Sequence, residues 1–401
     1  MEFYTGDSFW NLSEKNTTKN YSNLRKNIEC DVLIVGGGIT GALCSYYMNK
    51  SNIDTVLIDK NTFASGSTMI NTSLLHYEID INLYNLSKIY NKNIATRYFQ
   101  LCRKALYDLK VLLNKTKIDA NFIKRKSLHA AKNFNQNIQL IKEYNSRKSA
   151  GFKVTYVSKK IMKNHFDLPY YSGIYSFDGG EINPYLLAHN LIDYSTEHGL
   201  QAFENTELIY IDYKKGYNIA YTPNHTIKTK KIIFATGYEA DPLVDKYTTT
   251  TFYNTYTLIT KPLTDKYLWK DNCLIWEGKH PNCYLRTTKD NRIIIGGLDT
   301  PYKGFIPNRK LLEKKSNLLY KKLNHLLPHL NIEKAFYSAG IYADTKDSIG
   351  YIGEVPLYPN CYFILGYGTN GIIYSIIGSQ IIKDLYKYGY HQDAHLFSFY
   401  R

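Results

Sequence analysis

Long apolar runs are missing from this 401-residue sequence, and none approaches the roughly 20 residues that a membrane-spanning helix needs. The most apolar stretch, residues 32–48, is interrupted by glycines and by Thr40. The first residues, MEFYTGDSFWNLSEK, also lack the basic and then apolar pattern of a secretory signal peptide. We therefore expect a cytoplasmic protein without a membrane span.

Cysteine is scarce, and its spacing shows neither a C-x-x-C pair nor a metal-binding pattern. The six cysteines are Cys30, Cys44, Cys102, Cys273, Cys283 and Cys361. This usage is typical of reduced thiols in the cytoplasm and predicts no metal site.

Acidic residues are fewer than basic residues, which gives a formal net charge of +15. The lysines are spread over nearly every polar segment, and the densest basic stretch, KTKK at 228–231, is short. The abundance of Lys, Asn, Ile and Tyr, with 39 tyrosines, indicates a compositional bias of the source genome. We favour scattered surface charge over nucleic-acid binding, with attraction to anionic substrates or surfaces as the alternative.

What the sequence does contain is a strand–glycine loop–helix–strand pattern at residues 31–60, DVLIVGGGITGALCSYYMNKSNIDTVLIDK. In its G-x-G-x-x-G spacing, Gly36 allows a tight turn, Gly38 lets a pyrophosphate approach the backbone, and Gly41 lets the helix lie close to the sheet. The helix N-terminus offers free N–H groups to phosphates. Asp59, about 20 residues downstream, is placed to accept from ribose hydroxyls. The order of these parts favours a dinucleotide site over a structural turn.

Strand and helix patterns continue along the chain without an internal repeat or a long linker. Nucleotide-type elements occur at both ends and in the middle, with strand-rich segments between them. We predict an α/β fold with a discontinuous Rossmann-like domain from residues 29–85, 152–240 and 334–401. A second domain, rich in antiparallel sheet, is predicted from residues 86–151 and 241–333, and residues 1–28 are predicted to form an extended arm on the surface.

Eight motifs follow one another across nearly the whole chain after residue 28. They are VGGGITGA (35–42), LIDK (57–60), ASGST (64–68), DGGEINPYLLAHNL (178–191), FATG (234–237), YLRTTKDNRIIIGG (284–297), AGIYADTKDSIGYIG (339–353) and LGYGTNGI (365–372). In this order they resemble the D-amino acid oxidase (DAO) family of FAD-dependent oxidoreductases. The YLR strand is most similar to the γ-glutamylputrescine oxidase-like and uncharacterised bacterial branches. The resemblance implies that the Rossmann-like domain binds FAD and that the second domain binds substrate.

The resemblance also implies which residues hold the FAD, without a covalent link. They are Gly36, Gly38, Ile39, Thr40 and Gly41 at the pyrophosphate; Asp59, Lys60 and Leu208 at the adenosine; Gly66, Ser67 and Thr68 near the phosphates and ribityl chain; Leu74 and Leu75 under the flavin; Thr236 and Gly237 at a second crossing; and Gly340, Gly368, Thr369, Asn370, Gly371 and Ile372 around the isoalloxazine. The helix after Gly371 is implied to direct its positive end at the flavin. The alternatives are that Thr236-Gly237 is a plain turn and that the glycines at 366–371 only permit a strand-to-helix bend.

Two further residues are candidates for chemistry. Arg286 is predicted to bind a substrate carboxylate in bidentate fashion or to stabilise the reduced flavin anion, and a structural ion pair between the domains is the alternative. His76 is predicted to lie near the flavin. A covalent link between His76 and FAD is the weaker alternative, because the family's tethering His lies nearer the G-S-T motif.

The activity that the resemblance implies is hydride transfer to flavin N5 from the carbon next to the nitrogen of an amine or amino acid, which gives an imine that hydrolyses. No protein acid or base is strictly required, so the lack of a catalytic triad does not argue against an enzyme. The electron acceptor is expected to be O2 or a redox partner. The alternatives are an FAD-dependent dehydrogenase of a hydroxy acid or polyol phosphate and a flavin-binding subunit whose active site is inactive.

Overall fold

The computed structural model of the protein describes residues 4–13, 18–264, 268–278 and 283–401. Its strands form an eight-stranded and a ten-stranded sheet. The eight-stranded sheet contains β2 (Ile28–Val35), β3 (Thr55–Ile58), β8 (Gln201–Phe203), β9 (Tyr210–Lys214), β10 (Tyr217–Tyr221), β11 (Thr226–Phe234), β17 (Tyr351–Glu354) and β18 (Cys361–Leu365). The ten-stranded sheet contains β1 (Tyr4–Gly6), β4 (Leu74–His76), β5 (Ile123–Ala131), β6 (Val154–Val157), β7 (Ser172–Glu181), β12 (Thr250–Thr260), β13 (Leu274–Glu277), β14 (Cys283–Thr287), β15 (Ile293–Pro301) and β16 (Lys334–Thr345).

Helices pack against strands of both sheets. They are α1 (Phe9–Ser13), α2 (Ile39–Asn49), α3 (Leu83–Ile89), α4 (Lys92–Thr116), α5 (Phe134–Ser149), α6 (Lys159–Ile161), α7 (Pro184–Glu197), α8 (Asp241–Val244), α9 (Arg309–Leu326) and α10 (Gly371–Tyr388). Within the described ranges, no helix combines the length and the apolar character that crossing a bilayer requires.

The eight-stranded sheet has a parallel centre in the order β18-β11-β2-β3-β8. Its central strand β2 is covered on both faces, as the continuous apolar run predicts. Val32 and Ile34 pack into the core that also contains α2, α7 and α10, whereas Leu33 and Val35 pack into a second core on the opposite face. The predicted strand–loop–helix–strand unit is therefore confirmed.

Helices α2 and α10 run side by side because small side chains face each other across them. Thr40 Oγ1 lies 2.7 Å from Ser375 Oγ, and one turn further on Cys44 Sγ lies 3.3 Å from Ser379 Oγ. The i, i+4 spacing on both helices puts each pair on one face. The first turns of the two helices consequently lie next to each other.

The ten-stranded sheet is mostly antiparallel, in the order β1-β16-β12-β15-β14-β13-β5-β7-β4, with β6 also paired to β7. Only one pair of strands in its described part, β13 with β5, is parallel. This sheet does not follow the predicted domain boundaries. Four of its strands come from segments assigned to the FAD-binding domain, namely β4, β6, β7 and β16. The two sheets thus share chain segments, and the division into domains stays a prediction.

The N-terminal residues differ from the expected surface arm. β1 pairs antiparallel with β16, and the side chains of Phe9 and Trp10 are only 5% and 6% exposed. The prediction is wrong for residues 4–10 because these two aromatic side chains enter the core. Residues 1–3 and 14–17 of the predicted arm lie outside the described residues.

Candidate functional site

A cavity of about 1140 Å³ lies where the carboxyl ends of the parallel strands face the second sheet. Val35, Phe234 and Leu365, at the ends of β2, β11 and β18, line one side of it. Thr255 of β12 and Tyr284 of β14 line the other side. Small-molecule pockets usually measure roughly 300–1,000 Å³, so this cavity has room for a large ligand.

Most of the residues implied to hold FAD contribute to the wall of this cavity. Those in the wall are Gly36, Gly38, Ile39, Thr40, Asp59, Lys60, Gly66, Ser67, Thr68, Leu74, Leu208, Thr236, Gly237, Gly340, Gly368, Thr369, Gly371 and Ile372. His76 also lines the wall. Four of the predicted site residues do not line the cavity: Gly41, Leu75, Asn370 and Arg286. Leu208 lies in the connection between β8 and β9.

The glycines of the first loop have different structural roles. Gly36 has φ +103°, in the left-handed region that favours glycine. A Cβ on Gly41 would lie 1.9 Å from the carbonyl oxygen of Gly36, so α2 can begin this close to the loop only with glycine there. A Cβ on Gly38 would approach only Thr68 Oγ1, at 3.1 Å. Gly38 therefore leaves space in the cavity wall, while Gly36 and Gly41 are needed by the fold itself.

Two side chains hold the glycine loop in place. Thr68 Oγ1 accepts from Ile39 N at 3.0 Å, and Asp59 Oδ2 accepts from Gly37 N at 2.7 Å. Asp59 Oδ1 accepts from Asn61 N at 2.8 Å. Burial raises the pKa of Asp59, although these two backbone N–H groups oppose the rise. Each carboxylate oxygen can accept a further bond, so Asp59 remains able to receive a ribose hydroxyl.

The C-terminal glycine loop is fixed by residues 78–80. Asp80 Oδ2 accepts from Thr369 N at 2.9 Å, and Asp80 Oδ1 accepts from Thr369 Oγ1. The backbone carbonyl of Glu78 accepts from Asn370 Nδ2 at 2.7 Å. Gly368 has φ +76°, and a Cβ there would lie 2.9 Å from Asp80. Asp80 was not predictable from the sequence, since an isolated aspartate in a loop carries no motif.

A buried charged network lies behind His76. His76 Nδ1 lies 3.0 Å from the Glu78 carbonyl oxygen and 3.3 Å from Glu78 Oε2. Glu78 Oε1 accepts from Arg147 Nη1 at 3.1 Å, and Arg147 Nε donates to Glu143 Oε1 at 2.5 Å. Burial of Glu78 favours its neutral form, but the hydrogen bond from His76 and the charge of Arg147 outweigh burial and hold its pKa well below the ordinary value.

The wall on the second sheet is aromatic and polar. Tyr342 donates its hydroxyl to Asp299 Oδ2 at 3.1 Å, and Tyr284 OH lies 3.3 Å from Thr255 Oγ1. The Trp276 ring stacks on His129 at 3.7 Å. Its Nε1 is buried without a hydrogen-bond partner in the described part of the chain. None of these side chains was predicted to be a site residue, because only strand pairing brings them to one surface.

Arg286 lies behind this wall. It is 1% exposed, and its guanidinium donates to the backbone carbonyls of Thr72, Thr287 and Ile182. Burial lowers its pKa to about 10. The guanidinium thus joins three chain segments through carbonyl oxygens, and its donors point at backbone groups.

The model of the FAD dependent oxidoreductase (DAO) family matches residues 31–385. The chain belongs to this family. The predicted combination of a Rossmann-like and a second sheet domain is confirmed at the level of fold. The crystal structure of glycine oxidase from Geobacillus kaustophilus superposes with a TM-score of 0.80 at 19% identity, covering 93% of this chain and 99% of that one.

Curated relatives share the family at low identity. Glycine oxidase of Geobacillus kaustophilus (strain HTA426) is 23% identical over 88% of this chain and 92% of its own length. Gamma-glutamylputrescine oxidoreductase of Escherichia coli (strain K12) is 22% identical over 92% of this chain and 86% of its own length. The Rieske 2Fe-2S iron-sulfur protein YhfW of Bacillus subtilis (strain 168) is 24% identical over 57% of this chain. The match covers only 43% of the length of that relative.

The residues present fit the family's cofactor. Gly38 leaves the cavity wall open beside the first turn of α2, and α10 begins next to it. The positive ends of two helices therefore face the space that a pyrophosphate and a flavin need. Trp276 Nε1, which has no hydrogen-bond partner among the described residues, is a buried donor on the opposite wall. These features suit an anionic, acceptor-rich ligand that extends through the cavity.

Proposed function

We propose that this FAD-dependent oxidoreductase oxidises an amine or amino acid at the carbon next to nitrogen. The observation that carries the proposal is one continuous cavity, which runs from Asp59 and the first glycine loop to Tyr284 and Tyr342 on the second sheet. Bound FAD supplies the acceptor for a hydride from such a carbon. The similarity to enzymes named glycine oxidase and gamma-glutamylputrescine oxidoreductase supports the substrate class.

The first half of the cavity would hold the cofactor. The loop at 36–40 and the N-terminus of α2 would bind the pyrophosphate, and Asp59 would bind the adenosine ribose. The loop at 368–371, held by Asp80, and the N-terminus of α10 would bind the flavin. The helix end stabilises negative charge there through its unpaired N–H groups.

The second half of the cavity would hold the substrate. Trp276, Tyr284 and Tyr342 present aromatic surface that excludes water from the reacting carbon. His76 keeps Nδ1 engaged with Glu78, so its Nε2 is the nitrogen available to a ligand. We propose that Nε2 takes the proton of a bound ammonium group, because only the neutral amine can release a hydride.

The finer features of the cofactor and its surroundings are also proposals. We propose that FAD is held without a covalent bond, because His76 lies further from the G-S-T motif at 66–68 than the tethering histidine of the family does. Acid precipitation is then expected to leave the flavin in the supernatant, and colour in the pellet would contradict this. A cytoplasmic location is supported by six buried free cysteines, whose thiol pKa burial raises to about 12.

The test of the activity is anaerobic mixing of the purified holoenzyme with matched pairs of compounds. Each pair has one carbon skeleton and carries either an amine or a hydroxyl at the same carbon. We expect the flavin absorbance to bleach with at least one amine and not with its hydroxy partner. Electron acceptors, O2 against redox dyes, are then compared on the reduced enzyme.

Two outcomes would contradict the proposal. If only hydroxy acids or polyol phosphates bleach the flavin, the protein is a dehydrogenase of those compounds. If dithionite bleaches the flavin and every compound fails, the protein is a flavin-binding subunit without its own activity.

A further inference from the structure

The N-terminal strand forms part of the cavity wall. Tyr4, Thr5 and Gly6, which make up β1, all line the cavity. Tyr4 pairs with Gly340 and Gly6 with Ser338, and both partners line the same cavity. β1 therefore covers the edge of β16 at the place where the flavin is proposed to bind.

A short anchor follows β1. Asp7 N donates to the Tyr337 carbonyl at 3.0 Å, and Tyr337 N donates to Asp7 Oδ2 at 3.1 Å. Gly6 has φ +91°, and a Cβ there would lie 2.4 Å from the Tyr337 carbonyl oxygen. The chain consequently turns from the strand into the anchor only because residue 6 is glycine.

Two buried aromatic side chains fix the segment at its other end. The Phe9 ring lies 5.3 Å from Phe336 of β16. Trp10 Nε1 donates to the Asn71 carbonyl at 2.8 Å, and its ring lies 5.2 Å from the Arg286 guanidinium. Asn71 belongs to the cavity wall on the side of the first glycine loop. Residues 4–10 therefore connect two sides of the wall.

We propose that residues 4–10 are a fixed wall of the cavity that limits the access of solvent and solutes to the flavin. This inference rests on the proposed function in one respect, the position of the flavin beside Gly340. The alternative role is simple protection of the β16 edge, which an added strand also provides. The two roles differ in what happens to a bound flavin when the segment is loosened without being removed.

The test measures the quenching of bound-flavin fluorescence by iodide in the full-length holoenzyme. Asp7→Ala removes one anchoring hydrogen bond, and Trp10→Phe keeps the aromatic bulk but loses the bond to Asn71. Loss of one hydrogen bond raises the population of the detached segment about tenfold, and we expect the iodide quenching constant to rise with it. Asp7→Asn keeps an acceptor for Tyr337 N and should restore the wild-type constant. Tyr107→Ala, at a residue 67% exposed on α4, is the matched neutral control.

The outcomes separate this inference from the proposed function. The wall is supported if iodide quenching rises in both Asp7→Ala and Trp10→Phe at unchanged FAD content and returns to the wild-type value in Asp7→Asn. This holds even if no compound of the substrate panel is oxidised. Unchanged quenching in both variants with full FAD content overturns the wall and leaves the proposed function intact. A wild-type protein that binds no FAD overturns both.

Discussion

His76 Nδ1 lies 3.3 Å from Glu78 Oε2, which makes a buried histidine–carboxylate pair at the wall of the cavity. The pair is continued by Arg147, which is completely buried on α5. The Glu78 carbonyl oxygen, 3.0 Å from Nδ1, and the nearby carboxylate both favour a tautomer with its proton on Nδ1, which leaves Nε2 as the acceptor. The orientation of His76 is thus set by groups that never reach the cavity.

His76→Gln should slow flavin reduction by a protonated amine near pH 7, since it removes the proposed proton acceptor. General-base catalysis is worth roughly 10²–10⁴-fold. The rate should recover as the pH rises toward the pKa of the amine, about 10, because solvent then supplies the neutral form. Anaerobic stopped-flow bleaching between pH 7 and pH 10 measures this. An equal loss at every pH would assign His76 a purely structural role.

Glu78→Gln should lower the free energy of unfolding by about 1–3 kcal/mol at neutral pH, because Arg147 keeps its bond to Glu143 but loses the charge of its second buried partner. The folded-state pKa of Glu78 lies below its ordinary value of 4.5, so its contribution is complete above that pH and is lost as the pH falls below it. Urea unfolding at pH 7 and pH 4 should show a smaller difference between variant and wild type at pH 4.

Glu333→Gln is the control for that measurement. Glu333 pairs with Lys261 at the surface, with both side chains 60% exposed, and exposed pairs contribute about 0–1 kcal/mol. A similar loss in both variants would show that the Glu78 network adds nothing specific.

Gly41→Ala and Gly38→Ala should fail in different ways. The first places a Cβ against the Gly36 carbonyl and should destabilise even the apoprotein, whereas the second meets only Thr68 Oγ1 and should fold but retain less FAD. Thermal unfolding of apoprotein, together with FAD content, distinguishes them. Gly66→Ala, which has no atom within 4 Å of its Cβ, is the tolerated control for the fold.

Asp80→Ala should weaken FAD binding about tenfold to a hundredfold, because Thr369 loses two hydrogen bonds worth roughly 0.5–1.5 kcal/mol each. Asp80→Asn keeps an acceptor for Thr369 N and should lose less. Titration of apoprotein with FAD gives both dissociation constants. Identical constants for wild type and Asp80→Ala would exclude this carboxylate from ordering the loop.

Arg286→Ala should cost about 2–4 kcal/mol of stability, since three carbonyl oxygens lose their donor. Arg286→Lys should restore only part, because lysine lacks the planar fork. Neither variant should change the ratio of kcat/KM for a carboxylated substrate to that for its amide. A change in that ratio would support the prediction that Arg286 binds a substrate carboxylate.

Local signals made part of this molecule predictable. The apolar run at 31–35 and the glycine spacing after it specify a buried strand and a tight turn within a dozen residues. Asn183 and Pro184 likewise mark the start of α7, where Asn183 Oδ1 accepts from Tyr185 N and Leu186 N. Long-range pairing was not predictable. The position of Tyr4 depends on a partner strand that begins at Lys334, and no local pattern around either segment encodes that contact.

The contact of Thr40 with Ser375 also sets an order of events during synthesis. About 320 residues separate the end of α2 from the start of α10. At a synthesis rate of about 5–20 residues per second, translation of this stretch takes roughly 15 to 65 s. The first glycine loop is therefore made that long before α10. A nascent chain can therefore complete the proposed cradle only after α10 has been translated, and chains interrupted before α10 would lack the half of the cradle that we propose binds the flavin.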